Sequence, residues 1–349
     1  MTECNAIMRA TRHPAVPPSP ISTPTGTIVS FRRLRHASDY VGMASVRAGS
    51  VDRDQVDPQS PREKMPTAED LAETFPFSDE GEQPDLLLAE ADECIIGYAH
   101  VRWRWTEITG ARVYLHLGHV LPEWRGQGVG SALLEWSRAR IRDIAAGDAA
   151  AGPTFFASNA SSSEVEAVGL LRSHDYRVVR TLTDMVLDLQ EPMLRTHLPA
   201  GVELRPVEPT HHRAIYAAYK DAMSASFLTT QTSEDDFRVF VADNFEGDGF
   251  DPRLCHIAWA GNEVVGYVLG RTQRGIGLVA EVGVRRAWQR QRIGTALMTS
   301  ALEAFRLAGV ARARLFTDAD DGLGARTLYE RLGFREAKQH LLFRQEFDR

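Results

Sequence analysis

Val120-Leu121-Pro122-Glu123-Trp124-Arg125-Gly126-Gln127-Gly128-Val129-Gly130-Ser131-Ala132-Leu133 is the stretch of this sequence from which the fold can be inferred. It is typical of a strand that ends in a glycine-rich turn and continues into an amphipathic helix. Glycine lets the backbone turn sharply and approach a ligand closely. Unpaired N–H groups at a helix start, with the positive end of the helix dipole, favour an anion, and Arg125 would add a charge-assisted contact. The stretch therefore predicts a cradle for a phosphate group.

The same pattern recurs in the second half of the sequence. Val284-Arg285-Arg286-Ala287-Trp288-Gln289 repeats the Val-to-Trp spacing, and Ile293-Gly294-Thr295-Ala296-Leu297 repeats the helix start. Residues 93–98 resemble 263–267, and residues 170–176 resemble 328–334. Because the matches keep the same order and nearly the same separations, we interpret the chain as two copies of one structural unit.

Each copy is expected to alternate strands and helices in the same order. Strands are predicted at 28–34, 86–90, 95–104 and 154–157, with another ending at Val120, and in the second copy at 202–207, 254–260, 264–271 and 313–317, with another ending at Val284. The helix after each turn has apolar residues about four apart: Val129, Leu133, Ile141 and Ile144, and then Ile293, Leu297, Ala301 and Phe305. This order predicts an α/β (α+β) fold made of two tandem units, each a mixed central sheet flanked by helices.

Proline-rich stretches indicate where the units begin and end. Residues 1–26 are expected to be a disordered tail, and 191–201, with Pro192 and Pro199, to be a linker. The predicted domains are therefore 27–190 and 202–349. A further polar stretch at about 50–84 is expected to contain one short helix near Ala68–Thr74.

The composition restricts the function classes. The 349 residues are 43% hydrophobic and 25% charged, which is enough for two cores. The net charge of -7 argues against a nucleic-acid binder. Cys4, Cys94 and Cys255 are odd in number and far apart, so we expect no disulfide framework and no metal site. The sequence shows no signal peptide and no apolar run of membrane-spanning length, so a cytoplasmic protein without a membrane partner is expected, as a monomer or homodimer.

Two common phosphate-binding motifs do not fit the glycine-rich turn. A Rossmann fingerprint needs a βαβ unit with an acidic residue about 20 positions later, and a P-loop needs Gly-Lys-Ser/Thr. Arg125-Gly126-Gln127-Gly128-Val129-Gly130 instead resembles the Arg/Gln-x-x-Gly-x-Gly/Ala signature of the GNAT acetyltransferase superfamily, and residues 329–334 resemble the second hallmark of that family. The resemblance covers residues 28–344 and implies a tandem-domain N-acetyltransferase with acetyl-CoA as co-substrate and no metal.

The resemblance also implies where the coenzyme binds. Its pantetheine arm would lie between two splayed parallel strands, which end at Val120 and near Ala157 in the first copy and at Val284 and near Thr317 in the second. The implied coenzyme-binding residues are Val120, Arg125, Gly126, Gln127, Gly128, Val129, Gly130 and Ser131 in the first copy, and Val282, Val284, Gln289, Arg290, Gln291, Arg292, Ile293, Gly294 and Thr295 in the second.

The two copies depart from the family pattern in opposite directions. The first keeps the glycine loop but has Leu171 where the family often has a tyrosine, whereas the second keeps Tyr329 but has Arg292 in place of the first signature glycine. Arg292 would either crowd the diphosphate through its Cβ or turn outward and supply positive charge. Because Arg285, Arg286 and Arg290 are nearby, we favour a retained coenzyme site over a merely solvated basic face.

Two residues of the second copy are candidates for the chemistry. Tyr329 is the proposed acid, since a phenol is protonated at neutral pH and the matching tyrosine is the usual acid in the family; its alternative is core packing. Glu281, a carboxylate in an apolar strand, would take the proton of a small-molecule amine or orient a cationic substrate, unless it is a surface residue at a strand edge. The backbone near Val282 and Val284 is the candidate for polarising the carbonyl.

Two other readings remain open. Each copy lacks one residue of the family pattern, which is compatible with a non-catalytic acyl-CoA-binding sensor or scaffold. Alternatively, the first copy is the enzyme and uses a different acid.

Overall fold

Each copy of the repeat forms a mixed β-sheet with helices packed against it. The computed structural model describes residues 15–77, 83–106, 110–147, 152–190, 196–223, 233–247, 249–319 and 324–348. They form two units, one of Met1–Arg180 with His340–Arg349 and one of Thr181–Gln339. The predicted α/β class with two tandem units is confirmed.

The first unit contains the elements of the first repeat. Its strands are β1 (Ile21–Ser22), β2 (Ile28–Arg32), β3 (Leu86–Ala91), β4 (Cys94–Thr106), β5 (Arg112–Val120) and β6 (Thr154–Ser161), and its helices are α1 (Asp39–Gly49), α2 (Val51–Asp54), α3 (Ala68–Thr74), α4 (Val129–Ala146) and α5 (Val165–Ser173). β1 to β5 pair antiparallel in sequence order, and β5 pairs parallel with β6.

The second unit follows the same plan. Its strands are β8 (Glu203–Arg205), β9 (His256–Ala260), β10 (Glu263–Gln273), β11 (Ile276–Val284) and β12 (Arg312–Asp318), and its helices are α6 (His212–Met223), α7 (Glu234–Phe245), α8 (Ile293–Leu307) and α9 (Ala325–Arg331). β8 to β11 pair antiparallel, and β11 pairs parallel with β12.

The strand that closes each sheet comes from the other half of the sequence. β7 (Arg177–Asp188) pairs antiparallel with β12, from Asp188 opposite Arg312 to Leu182 opposite Asp318. β13 (Arg335–Glu346) pairs antiparallel with β6 through its last seven residues, His340 to Glu346. Apolar packing accompanies the pairing of β13 with β6: the Phe347 ring stacks on that of Phe156 at 4.0 Å between centroids.

This exchange moves the unit boundaries away from the expected domains 27–190 and 202–349. Residues 181–190 pack in the second unit and 340–349 in the first. The expected linker 191–201 lies partly outside the described residues, which resume at 196. An alternating apolar strand shows which face is buried but not which strand it pairs with, so the sequence pattern could not predict the exchange.

The expectation of a disordered tail at 1–26 is wrong for the residues from Ala15 onward. The Trp136 indole N–H donates to the Ala15 carbonyl at 3.3 Å, and β1 pairs with β2. Ile21 packs against the same apolar cluster as Trp124. These apolar contacts stabilise the folded conformation of the proline-rich segment. Residues 1–14 lie outside the described residues.

The helices confirm the pattern-based expectations. Val129, Leu133 and Ile141 of α4 and all four apolar residues predicted for α8 are buried at 1% exposure or less. The short helix α3 has the predicted bounds because Thr67 and Asp70 form a capping box at its start. Within the described ranges, no helix combines the length and apolar character that a membrane crossing requires.

Candidate active site

A gap opens between the two parallel strands of each unit. In the first unit the paired register ends at Leu115 opposite Ala157, although β5 continues to Val120. In the second unit it ends at Leu278 opposite Arg314, although β11 continues to Val284. Both units therefore have the splayed strand pair that the family resemblance implied.

A β-bulge marks the gap in the second unit. Leu269 of β10 lies opposite Glu281, whereas the next residue, Gly270, lies opposite Val279. Ala280 is thus the extra residue on β11. Since a bulge changes the direction in which the following side chains point, it sets the orientation of Glu281 at the place where the strands separate.

The turns before α4 and α8 have the same backbone conformation despite their different residues. Gly126 and Gly128 have φ of +71° and +90°, and the matching Arg290 and Arg292 have φ of +61° and +63°. A left-handed conformation costs an L-residue about 1–2 kcal/mol. The second unit therefore keeps the loop shape without glycine, and such strain is typical of functional segments.

The helix starts of α4 and α8 have no side-chain cap. The N-cap residues, Gly128 of α4 and Arg292 of α8, make no side-chain capping bond to their helices. Val129 and Ile293 are buried in the cores, so these two would contribute only backbone groups to an anion. The remaining predicted loop residues lie where expected, with Ser131 and Thr295 in the first helical turns and Gln127 and Gln291 in the turns before them.

The glycines of the two helix starts, Gly130 and Gly294, differ in how closely they are packed. A Cβ at Gly130 would stand 3.1 Å from Cδ2 of Leu170, and one at Gly294 would stand 3.6 Å from Cγ2 of Val284. Gly130 therefore allows α4 to approach α5 closely, whereas Gly294 has more room.

The Arg125 side chain is held by partners within the first unit. Its guanidinium donates to both carboxylate oxygens of buried Asp54, at 2.6 and 2.8 Å, and to Ser50 at 3.2 Å. Its Nε donates to the Val120 carbonyl at 2.9 Å. The side chain thus ties the turn to α2 and the end of α1, because a buried carboxylate needs a partner.

Gln289 reproduces only part of this arrangement in the second unit. Its side-chain amide donates to the Val284 carbonyl at 3.1 Å, as Arg125 does to Val120. The arginine-or-glutamine choice at this signature position therefore has a structural basis, which is a donor for the carbonyl at the strand end.

Glu281 lies in a cleft of about 370 Å³ between α6, α7, β10 and β11. The cleft is lined by Tyr216, Tyr219, Asp236, Val239, Phe240, Asp243, Asn244, Arg271, Ala280 and Glu281. In the part of the chain that the structure describes, the Glu281 carboxylate has no hydrogen bond and no ion pair. Burial raises its pKa to about 7, with Asp243 acting in the same direction and Arg271 against it. Glu281 is half-buried in this cleft, and a raised carboxyl pKa of this kind is typical of acid–base groups.

Tyr329 is buried at 6% exposure in α9. Its ring packs edge-on against Phe334 at 6.1 Å and belongs to the main apolar cluster of the second unit. It is also within electrostatic range of Tyr267, as is Glu281. Tyr329 thus packs in the core, as its alternative role required, and lies within electrostatic range of the same tyrosine as Glu281.

The first unit has different residues at the equivalent places. Counting from the strand ends, Leu117 matches Glu281, and Leu171 is buried where Tyr329 stands. His116 bonds the Tyr176 hydroxyl at 2.7 Å, and the Ser158 hydroxyl donates to the His116 carbonyl at 3.0 Å. Burial lowers the pKa of His116 to about 3, so the ring is neutral. The sequence patterns gave no signal for this internal network, because its members are 42 and 60 residues apart.

Within the described ranges no cluster of three or more His, Cys, Asp or Glu side chains has the arrangement of a metal site. Cys94 is an exposed free thiol and Cys255 a buried one.

Comparison with known proteins agrees with the family resemblance of the sequence. The model of the Acetyltransferase (GNAT) family matches residues 51–150 and 213–334. The mycothiol acetyltransferase of Streptomyces scabiei is 30% identical over 265 residues, which cover 74% of this chain and 79% of that protein. Its counterpart from Streptomyces avermitilis is 30% identical over 267 residues, with the same coverage.

Solved structures show the same fold. A GCN5-related N-acetyltransferase from Sphaerobacter thermophilus superimposes with a TM-score of 0.70 at 25% identity, covering 91% of this chain and 95% of that one. A tandem GNAT protein from the clavulanic acid biosynthesis pathway superimposes with a TM-score of 0.60 at 16% identity, covering 91% and 98%. With the splayed strands, the paired helix-start loops and the family match across both halves, the chain belongs to the acetyltransferase (GNAT) family.

Proposed function

We propose that this protein is an N-acetyltransferase that moves an acetyl group from acetyl-CoA to a primary amine by direct attack in a ternary complex, with its catalytic site in the second unit. The observation that carries the proposal is Glu281, an unpaired carboxylate in a cleft beside the gap between β11 and β12. The first unit has Leu117 and Leu171 at the positions of Glu281 and Tyr329, which favours the second unit as the catalytic one.

The residues of the second unit fit the coenzyme. The gap after Leu278 leaves backbone groups of β11 unpaired toward β12, which suits the pantetheine arm. The uncapped start of α8 suits the diphosphate, and exposed Arg290 and Arg292 add charge with no ion pair among the described residues. The proposed contacts are Val282, Val284, Gln289, Arg290, Gln291, Arg292, Ile293, Gly294 and Thr295. The first unit offers a similar loop from Gly126 to Ser131, so the proposal includes coenzyme binding there too, with Arg125 contributing only its backbone.

Bound acetyl-CoA supplies an activated acyl thioester, and this chain's residues supply proton transfer and polarisation. Glu281 takes a proton from the acceptor ammonium group, a task for which a pKa near the working pH is best. Backbone N–H groups near Val282 and Val284 polarise the carbonyl. Tyr329 provides the proton that a departing thiolate needs.

The cleft suits a small cationic acceptor. Among the described lining residues, Arg271 is the one basic residue, against the acidic Asp236, Asp243 and Glu281, so a positively charged amine is attracted. Its volume is at the lower end of the range for small-molecule sites. The name of the Streptomyces relatives makes the mycothiol precursor amine a compound to include among the acceptors tested. The proposal also keeps a cytoplasmic location, action without nucleic acid or membrane, and a monomer or homodimer.

Glu281→Gln tests the proposal. Loss of a general base lowers kcat about 10²- to 10⁴-fold, while acetyl-CoA binding measured by calorimetry stays unchanged. Glu246→Gln, at an exposed carboxylate after α7, is the control and keeps full activity. Thiol release is measured with a panel of small amines.

Two outcomes would favour the other readings. Acetyl-CoA binding without thiol release for any amine supports the sensor or scaffold. Wild-type turnover in Glu281→Gln, together with loss of turnover when the first unit's loop is altered at Gly128, supports catalysis in the first unit.

A further inference from the structure

Tyr267 has a buried hydroxyl group that the protein leaves unsatisfied. The side chain is fully buried in β10, and its hydroxyl has no hydrogen-bond partner among the described residues. A buried polar group without a partner costs about 1–3 kcal/mol and requires an explanation. A phenylalanine would fill the same volume without this cost.

Gly283 provides the space that the Tyr267 ring occupies. The two residues lie directly opposite each other on β10 and β11. The hydroxyl would clash with a Cβ at position 283, and Cζ and Cε1 would be 2.7 and 2.8 Å from that atom. Any side chain at position 283 would therefore displace the phenol.

Glu281 lies diagonally across the strand pair from Tyr267. Residues 281 and 283 point to the same face of the sheet, since side chains alternate along a strand and the register is regular from Leu269–Glu281 to Tyr267–Gly283. Diagonal neighbours of this kind are about 7–8 Å apart and within reach of aromatic and long side chains. The unsatisfied hydroxyl and the unpaired carboxylate can thus meet through rotation of the Glu281 side chain.

The groups facing this pair come from four elements. Tyr219 of α6, Asp236 and Asp243 of α7 and Arg271 of β10 line the cleft with Glu281, and Tyr329 of α9 is within electrostatic range of Tyr267. Arg271 donates from Nη1 to the Asp243 carbonyl at 2.8 Å, and its charge lowers the pKa of Glu281 against the effect of burial.

The equivalent tyrosine of the first copy, Tyr98, shows which features of Tyr267 are structural and which are particular to the second unit. Tyr98 occupies the same place after a glycine and is buried to the same degree. It lies opposite His119 in place of a glycine, at 5.1 Å between ring centroids, and Leu117 stands where Glu281 would be. A tyrosine at this point therefore belongs to the core of both units, but only the second unit combines it with a facing glycine and a carboxylate.

We propose that Tyr267 is the positioning residue of Glu281: during turnover its hydroxyl donates a hydrogen bond to the ionised Glu281 carboxylate and holds it toward the acceptor amine. This inference rests on the proposed function. In the step, an N–H bond of the acceptor ammonium breaks, its electron pair stays on nitrogen and the proton goes to Glu281, while Tyr267 keeps its own proton.

Tyr267→Phe tests this role through the pH profile of kcat. A hydrogen bond to a charged carboxylate favours the charged form, so its loss moves the rising limb of the profile to higher pH. We expect a shift of about one pH unit, a roughly tenfold lower kcat on that limb, and recovery toward the wild-type rate above it. Thermal stability should not fall, because the change removes an unsatisfied group.

Tyr98→Phe is the matched control, with an unchanged profile expected. Gly283→Ala, which displaces the phenol, should reproduce the Tyr267→Phe shift. A Tyr267→Phe profile that coincides with the wild type overturns the inference, as does a loss of kcat with no shift of the limb. If Glu281→Gln itself keeps wild-type turnover, the proposed function fails, whereas an inactive Glu281→Gln beside a normal Tyr267→Phe refutes only the role of Tyr267.

Discussion

Arg292 adopts, at the start of α8, the left-handed backbone conformation that Gly128 adopts at the start of α4, with φ of +63° and +90°. Arg290 and Gly126 form a second such pair, at +61° and +71°. The second unit thus maintains a strained turn with two arginines where glycines would form it at lower cost. We expect the arginine side chains to compensate for this strain when an anion is bound.

Relief of the strain should stabilise the unbound protein. In Arg292→Gly, about 1–2 kcal/mol of backbone strain is removed, and glycine adds roughly 0.5–1 kcal/mol of unfolded-state entropy. The net expectation is a free energy of unfolding higher by about 0.5–1 kcal/mol, seen as a higher Tm in calorimetry. The reverse change in the first unit, Gly128→Arg, should lower stability by a similar amount, and a lower Tm for Arg292→Gly would contradict the strain argument.

Arg290→Gly and Arg292→Gly should each weaken coenzyme binding. If Arg290 and Arg292 contact the phosphates, each glycine variant loses a charge-assisted bond and raises the Kd for acetyl-CoA about tenfold. The salt dependence of Kd should fall as well, because fewer charges take part. Titration calorimetry at low and high salt measures both, with Arg306→Gln at the far end of α8 as the control. Unchanged Kd values would show that these arginines are a solvated basic face.

The Arg125 side chain should contribute to the free energy of unfolding and not to the binding of phosphate. Arg125→Ala leaves Asp54 buried at 2% exposure without its partner, and breaking a buried pair in this way costs about 3–5 kcal/mol. Gln289→Ala, which removes one bond to the Val284 carbonyl, should cost only about 1 kcal/mol. Denaturant unfolding of both variants checks this, and equal losses would mean that the Asp54 pair contributes little.

Local sequence determines much of this fold, and the parts that could not be predicted depend on distant partners. The capping box of Thr67 and Asp70 places α3, and apolar spacing identifies the buried faces of α4 and α8. The partner of Arg125 is 71 residues away, and no motif links the two. The partners of β7 and β13 are likewise set by packing across the whole chain, which a strand's own pattern does not encode.

The candidate site likewise has features that the sequence predicts and features that it does not. Glu281 is visible in the sequence as a carboxylate in an apolar strand, and Tyr329 through the family resemblance. The bulge at Ala280, the unsatisfied Tyr267 hydroxyl and the contact of Tyr267 with Gly283 depend on the pairing register of β10 and β11. A one-residue change in that register would place every one of these side chains on the other face, so a linear pattern could not reveal them.

Tyr329→Phe should separate acid catalysis from packing. The ring stays in its cluster with Phe334, so we expect the fold and acetyl-CoA binding to be kept. Loss of the proton donor should lower kcat about 10²-fold or more. Steady-state rates and calorimetry on the same preparation measure both quantities. Wild-type turnover would leave Tyr329 with a packing role alone.

Titration of the Glu281 carboxyl should change both the free energy of unfolding and kcat over the same pH range. Its carboxyl has a pKa of about 7 in the folded protein against 4.5 as the ordinary value. Between these values the unfolded chain has lost the proton and the folded protein retains it, so the unfolded state binds fewer protons and stability falls as pH rises. At about 1.4 kcal/mol per pKa unit, the decline is about 3 kcal/mol at most and is complete above pH 7.

Over the same range kcat should rise if Glu281 is the proposed base, because its carboxylate is then formed. Glu281→Gln should abolish both effects: its kcat profile loses the limb near pH 7, and its stability matches the wild type below pH 4.5 and exceeds it above pH 7. Thermal unfolding and kcat profiles of the two proteins, measured in the same buffers, make the comparison. A wild-type kcat limb without the matching decline in stability would assign that limb to another group, since one proton on Glu281 must produce both.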